Sequence, residues 1–278
     1  MFRYTKATAV REVIVWVIAL LVLLPFYFLI AMALKPDAEL LTTSLSAPPN
    51  SPTFGNFIDV LSETGQSSIL LGLMRSVIVT VGSIVGLVFF GSLAAYVLAR
   101  STRRWGTWAF YLFLIAIILP AQLGIIPVYI GARQAGLVGN MWGLIIIYVG
   151  TLMPLSVFLY AGFFRGLGRD YEEAAAIDGA GPGRVFFGIV LPLMAPATGT
   201  VAILTGLIVW NDFFTSLIFL GGSDAQTLPV SMYYYIGSLV SAWNKIFAIV
   251  IISMGPILVF YLFAQKRFIQ GFAGGLKS

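Results

Sequence analysis

Residues 13–34 read VIVWVIALLVLLPFYFLIAMAL, 22 consecutive residues without a charge. A helix rises about 1.5 Å per residue and a bilayer's hydrocarbon core is about 30 Å thick, so this run is long enough to cross a membrane. It is also longer than the apolar core of a cleavable leader, which holds about 7–15 residues ahead of a small-residue cleavage site. We therefore read it as an uncleaved first membrane helix behind the basic residues Arg3, Lys6 and Arg11. Working outward, five more uncharged runs of similar length follow at 76–99, 105–132, 137–164, 185–211 and 246–265. Backbone N–H and C=O groups in lipid must be satisfied within the segment, so each run is expected to be helical. The expected fold is an all-α polytopic membrane protein with six transmembrane helices in one transmembrane domain over residues 1–278.

Composition agrees. The chain is 59% hydrophobic and 10% charged, against about 25% charge in a typical soluble domain. It has no cysteine and no histidine, which excludes disulfides and thiolate sites and removes the commonest catalytic base and metal ligand. No metal or cofactor site is expected. The net charge of +5 could in a soluble protein point to nucleic acid; here the charges sit between apolar runs, and topology accounts for them. Twelve Lys and Arg residues fall on one side of the six spans and four (Lys35, Arg75, Arg133 and Lys245) on the other. By the positive-inside rule both termini are cytoplasmic.

Two loops stand out. Residues 35–69 fall outside the cell, carry Pro48, Pro49 and Pro52, and leave room for a short helix near 54–62. Residues 165–184 fall inside. Residues 225–244 are uncharged but hold Gln226, Ser231, three tyrosines, Ser238, Ser241 and Asn244, too polar for a good span. A short outer helix or re-entrant piece is expected there.

The inner loop reads RDYEEAAAIDGAGPGR over 169–184. Asp170 is placed as an N-cap, with Glu173 in the capping-box position three residues on. Three acids in the first turn suit the helix dipole. Ala174, Ala175 and Ala176 favour helix and leave a smooth face. Gly179 stands where a left-handed residue ends a helix, and Pro182 can begin the next one. Such a helix, tied at both ends to membrane spans, is suited to lie in a groove of a partner; an ordinary capped loop helix would have the same local signals. Gly179-x-Gly181-x-Gly183 is not a phosphate loop, since it follows a helix rather than a strand and the chain contains no Gly-Lys pair.

The spacing Glu173-Ala174-Ala175, Gly179, Ile189 and Leu191-Pro192 resembles the EAA motif of ABC-transporter permease subunits at every position. Leu34-Lys35-Pro36, Pro127-Val128-Tyr129, Gly136-Leu137, Trp142-Gly143-Leu144, Trp210-Asn211-Asp212-Phe213 and the tail 268–277 extend the likeness to the MalG-type permeases of carbohydrate importers over almost the whole chain. The resemblance implies a bacterial or archaeal cytoplasmic-membrane subunit forming half of a translocation pore. It implies a second permease subunit, two ATP-binding subunits and an extracytoplasmic solute-binding protein as partners, with ATP and Mg acting on the ATPase. It assigns Glu173, Ala174, Ala175, Asp178 and Gly179 to ATPase docking, and carbohydrates, polyols or sugar phosphates as solutes.

Ionisable groups inside a membrane are costly and mark function. Here Asp212, beside Trp210 and Asn211, is the clearest, either edging a solute path or ending a helix in interfacial water. Gln122, between Pro120 and Pro127, either lines the pore or satisfies a carbonyl freed by proline. Tyr148 and Asn140 are weaker candidates for the same path. A self-contained secondary transporter or channel would need more such carboxylates than Asp212. Arg100, Arg103 and Arg104 read as a topology anchor near lipid headgroups.

Overall fold

A computed structural model describes residues 6–40, 42–44, 47–65, 68–238 and 242–275. The helices in chain order are α1 (Lys6–Ala33), α2 (Asp37–Leu40), α3 (Gly55–Ser62), α4 (Ile69–Arg100), α5 (Arg104–Ile118), α6 (Ile125–Gln134), α7 (Met141–Gly166) and α8 (Asp170–Ile177). They continue as α9 (Pro182–Val185), α10 (Leu191–Leu193), α11 (Ala195–Asn211), α12 (Phe214–Leu220), α13 (Leu228–Ser238) and α14 (Trp243–Gly275). No strand occurs among the described residues.

Four helices are individually long and apolar enough to cross a membrane: α1, α4, α7 and the first part of α14. The third and fifth apolar runs, expected as single spans, are bent pairs. Helix α5 meets the segment 122–134 at 96°, and residues 182–193 meet α11 at 73°. Counting each pair as one span gives up to six. Proline causes both breaks. Leu119 is extended (φ −71°, ψ 130°) ahead of Pro120, as steric clash with a following proline demands. Pro192 and Pro196 each lack the N–H that would continue the ladder, and they flank Met194, where the direction changes (φ −84°, ψ 10°). A π-helical turn at Phe186–Val190 adds to the irregularity. Helix α13 has eleven residues, about 16 Å of rise, too short to span; this fits the short helix expected in 225–244. Helix α14 continues through the glycine-rich tail to Gly275.

The chain divides into two compact units, Met1–Leu70 with Ser231–Gly255, and Leu71–Val230 with Pro256–Ser278. In the first unit α1 is exposed almost throughout, Trp16 at 65%, as a helix bathed in lipid would be. Beyond it the chain is tied tightly. Lys35 is fully buried and its ammonium donates to the Ser44 carbonyl at 2.8 Å. Its own carbonyl accepts from the amides of Asn56 and Asn244, both at 2.9 Å. Asn244 also donates to Asp37 Oδ1 at 2.7 Å, and the Glu39 carboxylate accepts from the backbone N–H groups of Asn50 and Ser51. The Leu-Lys-Pro signature is thus the centre of a hydrogen-bonded knot. The short helix expected near 54–62 is α3.

In the second unit α7 is the central helix, with α5 and α11 packed along it. Helix α4 also lies against it through small residues. A Cβ on Gly82 would stand 2.7 Å from Ile145 Cδ1, and one on Gly86 2.5 Å from Val149 Cγ2, so any larger residue would have to push these side chains aside, and the glycines favour the close approach. Two turns further along α7, the Ser156 hydroxyl donates to the Leu87 carbonyl at 3.0 Å. Two buried apolar clusters lie in this unit. One gathers Phe110, Tyr160, Phe164, Phe186 and Ala175. The other gathers Leu144, Ile147, Tyr148, Val209 and Phe219. Each cluster supports one part of the candidate site.

Candidate functional site

Helix α8 carries the Glu173-Ala174-Ala175 stretch. It begins at Asp170, with Arg169 in the cap position and no side-chain cap. The capping box expected from Asp170 and Glu173 is therefore absent. Instead the Arg169 carbonyl accepts from the N–H groups of Glu172 and Glu173, both at 2.9 Å. Asp170 sits inside the first turn, where its charge still favours the dipole. The expected C-terminus is present. Gly179 has φ +79°, the Gly179 N–H donates to Ala176 O at 3.1 Å and the Ala180 N–H to Ala175 O at 2.9 Å. This pair of bonds is a Schellman closure. Asp178 is the residue at the cap.

The five docking candidates divide by face. Ala175 is buried and packs in the cluster around Phe164 and Phe186. Glu173, Ala174, Asp178 and Gly179 are exposed, together with Ala176 and Ile177. Ile177 is 87% exposed, a large apolar side chain held out from the end of a polar helix.

What seats Ala175 is an ion pair that sequence reading missed. Arg100, read above as a topology anchor, turns its side chain inward onto protein groups. Its Nη2 lies 2.7 Å from Glu172 Oε1, with both side chains 15% exposed. Nε donates to the same oxygen at 2.8 Å, and the Tyr96 hydroxyl donates to Glu172 Oε2 at 2.9 Å. Nη1 and Nη2 also reach the carbonyls of Phe164 and Leu167 at 3.1 and 2.9 Å. Arg169 donates to the Arg100 carbonyl at 3.3 Å. Nearby, Arg165 lies over the Phe110 ring, 4.4 Å from its centroid. Helical spacing could have flagged Glu172: it shares a face with Ala175, whereas Glu173 lies on the face of Ile177. Nothing in the sequence named Arg100 over Arg103 or Arg104 as the partner.

The four path candidates come from three separate stretches, and the structure brings them to one cavity. Gln122, Tyr148, Asn211 and Asp212 all line a space of about 360 Å³, with Thr151, Thr215, Phe214 and Phe219 among the other walls. Gln122 comes from the 3₁₀ turn at Ala121–Gly124, between α5 and α6. Tyr148 is buried on α7, its hydroxyl 2.9 Å from Ser216 Oγ. The Asn211 amide donates back to the Leu207 carbonyl at 2.8 Å. Asp212 ends α11, and its Oδ1 accepts from the Thr215 N–H at 3.1 Å, fixing the start of α12. Asp212 is the one carboxylate in the lining, and no Lys or Arg lines it. Asn140 does not join it; its Oδ1 accepts from the Gly143 N–H at 2.7 Å and caps α7. Among the described residues no group of three or more acidic side chains could hold a metal ion.

A family model described as "Binding-protein-dependent transport system inner membrane component" matches residues 87–273. The chain belongs to this family. The matched region holds α5 to α13, the C-terminal part of α4 and most of α14, and with them both α8 and the cavity. The Bacillus subtilis melibiose/raffinose/stachyose import permease protein MelC is 33% identical over 98% of this chain and 97% of its own length. The diacetylchitobiose uptake system permease protein NgcG of Streptomyces coelicolor is 30% identical over 91% of this chain and 83% of its own length. The fold matches a chain from the crystal structure of a bacterial ABC transporter involved in the import of the acidic polysaccharide alginate. That likeness has a TM-score of 0.81 at 22% identity and covers 96% of this chain and 100% of the other. The protein is a multi-pass membrane permease subunit of an ABC importer, and its family is one of transporters rather than enzymes.

Proposed function

We propose that this permease forms half of a translocation pore for a carbohydrate, and that α8 couples it to a separate ATPase. Ile177 is the observation that carries the coupling half. A side chain of that size, 87% exposed at the tip of a helix whose opposite face is clamped, would gain about 2 kcal/mol from being covered. Glu173, Ala174, Asp178 and Gly179 surround it as the docking face. Ala175 acts from behind by seating the helix. On this reading the chain works as a single permease domain with both termini in the cytoplasm of a bacterial or archaeal cell. It pairs with a second permease subunit, two ATP-binding subunits and an extracytoplasmic solute-binding protein. ATP and Mg belong to the ATPase, and this chain binds no cofactor of its own.

The cavity supports the solute half. Amide, hydroxyl and carboxylate groups on Gln122, Thr151, Asn211, Asp212 and Thr215 offer donors and acceptors to a polyhydroxylated molecule. Phe214 and Phe219 give its C–H faces apolar walls. Sugar-import relatives over nearly the full chain length favour the same class.

Purification in mild detergent with identification of the co-purifying chains tests the assembly. A nucleotide-binding ATPase and a second permease are expected, and neither should depend on added solute. Vesicles holding that complex should then take up an oligosaccharide such as raffinose or diacetylchitobiose when ATP is supplied. Recovery of the chain alone, with uptake indifferent to ATP, would overturn the reading.

A further inference from the structure

We propose that Arg100 is the positioning residue of the docking helix: by holding Glu172 of α8 and the Phe164 and Leu167 carbonyls at the end of α7 in one fork, it makes α8 and the ends of α4 and α7 move as one body. The proposal rests on the docking role of α8 and goes beyond it, since it concerns how a push on α8 enters the membrane.

An eight-residue helix is too short to hold itself together or choose a direction unaided. The link that joins it to α7 is Leu167-Gly168-Arg169, and Gly168 within it and Gly166 at the last position of α7 make the junction compliant. Left to the link alone, displacement of α8 would be absorbed by bending there. Arg100 spans the link. It contacts Glu172 beyond it, the Leu167 carbonyl within it and the Phe164 carbonyl before it. Phe164 and Leu167 lie at the C-terminus of α7, where the Phe164 carbonyl also accepts from the Leu167 N–H at 3.3 Å, and a cation suits that end of the dipole. Tyr96, one turn earlier on α4, holds the other Glu172 oxygen and packs edge-on against Phe164 at 5.6 Å between centroids. Both charges are mostly shielded from solvent, so salt screens this pair less than one at the surface. A lysine could keep the charge but not the planar fork that serves three acceptors at once.

The chain has no cysteine, which allows a clean test in the assembled complex. Spin labels at Tyr171→Cys on α8 and Val97→Cys on α4 report the separation of the two elements. The wild-type latch should give one narrow distance distribution, shared by the nucleotide-free complex and the complex trapped with ATP and vanadate. Arg100→Gln and Glu172→Gln should lose that shared distribution, with a broad spread and a shift on trapping, while the ATPase subunit still co-purifies. Arg100→Lys, which keeps only the ion pair, should fall between. If Arg100→Gln does not accumulate in membranes, Tyr96→Phe and Glu172→Gln decide. A narrow, unshifted distribution in Arg100→Gln, or in both substitutes, would overturn the latch. The docking reading fails separately, if Glu173→Ala retains the ATPase subunit and normal ATP hydrolysis; a broadened Arg100→Gln alongside that result would leave the latch standing.

Discussion

The two buried clusters of the second unit support polar groups in opposite ways. Around Phe164 the charges are spent on each other and on backbone. Arg100 uses its fork on Glu172 and two carbonyls, and Tyr96 takes the remaining Glu172 oxygen. Around Tyr148 and Phe219 the amide and carboxylate line open space and bond locally, Asn211 to Leu207 and Asp212 to Thr215, and the one longer tie is that of Tyr148 to Ser216. The first arrangement is a joint and the second a lining. A joint must be satisfied internally to be stiff. A lining must keep capacity for something that passes.

That contrast can be broken by substitutions that should affect one end and leave the other untouched. The largest effect is expected from Arg100→Met, which leaves Glu172 without its cation in a mostly shielded site. A loss of about 3 kcal/mol in local stability would raise hydrogen exchange of the α8 amides roughly a hundredfold. Exchange in α12 should stay unchanged, and an equal rise there would erase the distinction. Next is Gly86→Leu, which forces a side chain into the α4–α7 contact at a cost of about 1–3 kcal/mol, read as a lower melting temperature in detergent. Gly179→Val puts a branched side chain at φ +79°. The strain of about 1–2 kcal/mol should speed exchange of α8 about tenfold and weaken ATPase retention.

Smaller effects belong to the lining. Tyr148→Phe removes one hydrogen bond to Ser216, about 1 kcal/mol, and should shift the half-saturating concentration of raffinose or diacetylchitobiose uptake several-fold. Neither ATPase retention nor α8 exchange should move; a change in either would mean that the cavity and the joint are one system. The smallest stability change, under about 0.5 kcal/mol, is expected for Ile177→Ser on the exposed tip. Its value lies in the mismatch: stability should be kept while ATPase co-purification weakens.

Several of these features were legible beforehand. The apolar runs announced the helices, and the EAA spacing placed a short helix ending at Gly179. Local chemistry was read less well at the helix start, where Asp170 was taken for a cap. Capping depends on which residue stops being helical, and the Arg169 carbonyl decided that. The breaks at Pro120 and Pro192–Pro196 were legible as kinks but not as turns of 73–96°, because proline removes a bond without dictating how far the helix then turns. The partners of Arg100 were not legible, because a basic residue at the end of a span satisfies a topology rule whether it faces lipid or protein.

By itself, the sequence determined that this chain lives in a membrane, which segments are helical, and that residues 170–179 form a short helix closed by a glycine. Those are consequences of hydropathy, spacing and turn chemistry, all local along the chain. Only the tertiary structure decided that Ala175 points inward while Ile177 points out, that Glu172 rather than Glu173 is paired, and that Gln122, Tyr148, Asn211 and Asp212 share one cavity. Those facts rest on bringing together residues far apart in the chain, Glu172 with Arg100 and Gln122 with Asp212 among them. Their meeting is set by helix packing around α7, which no local rule encodes.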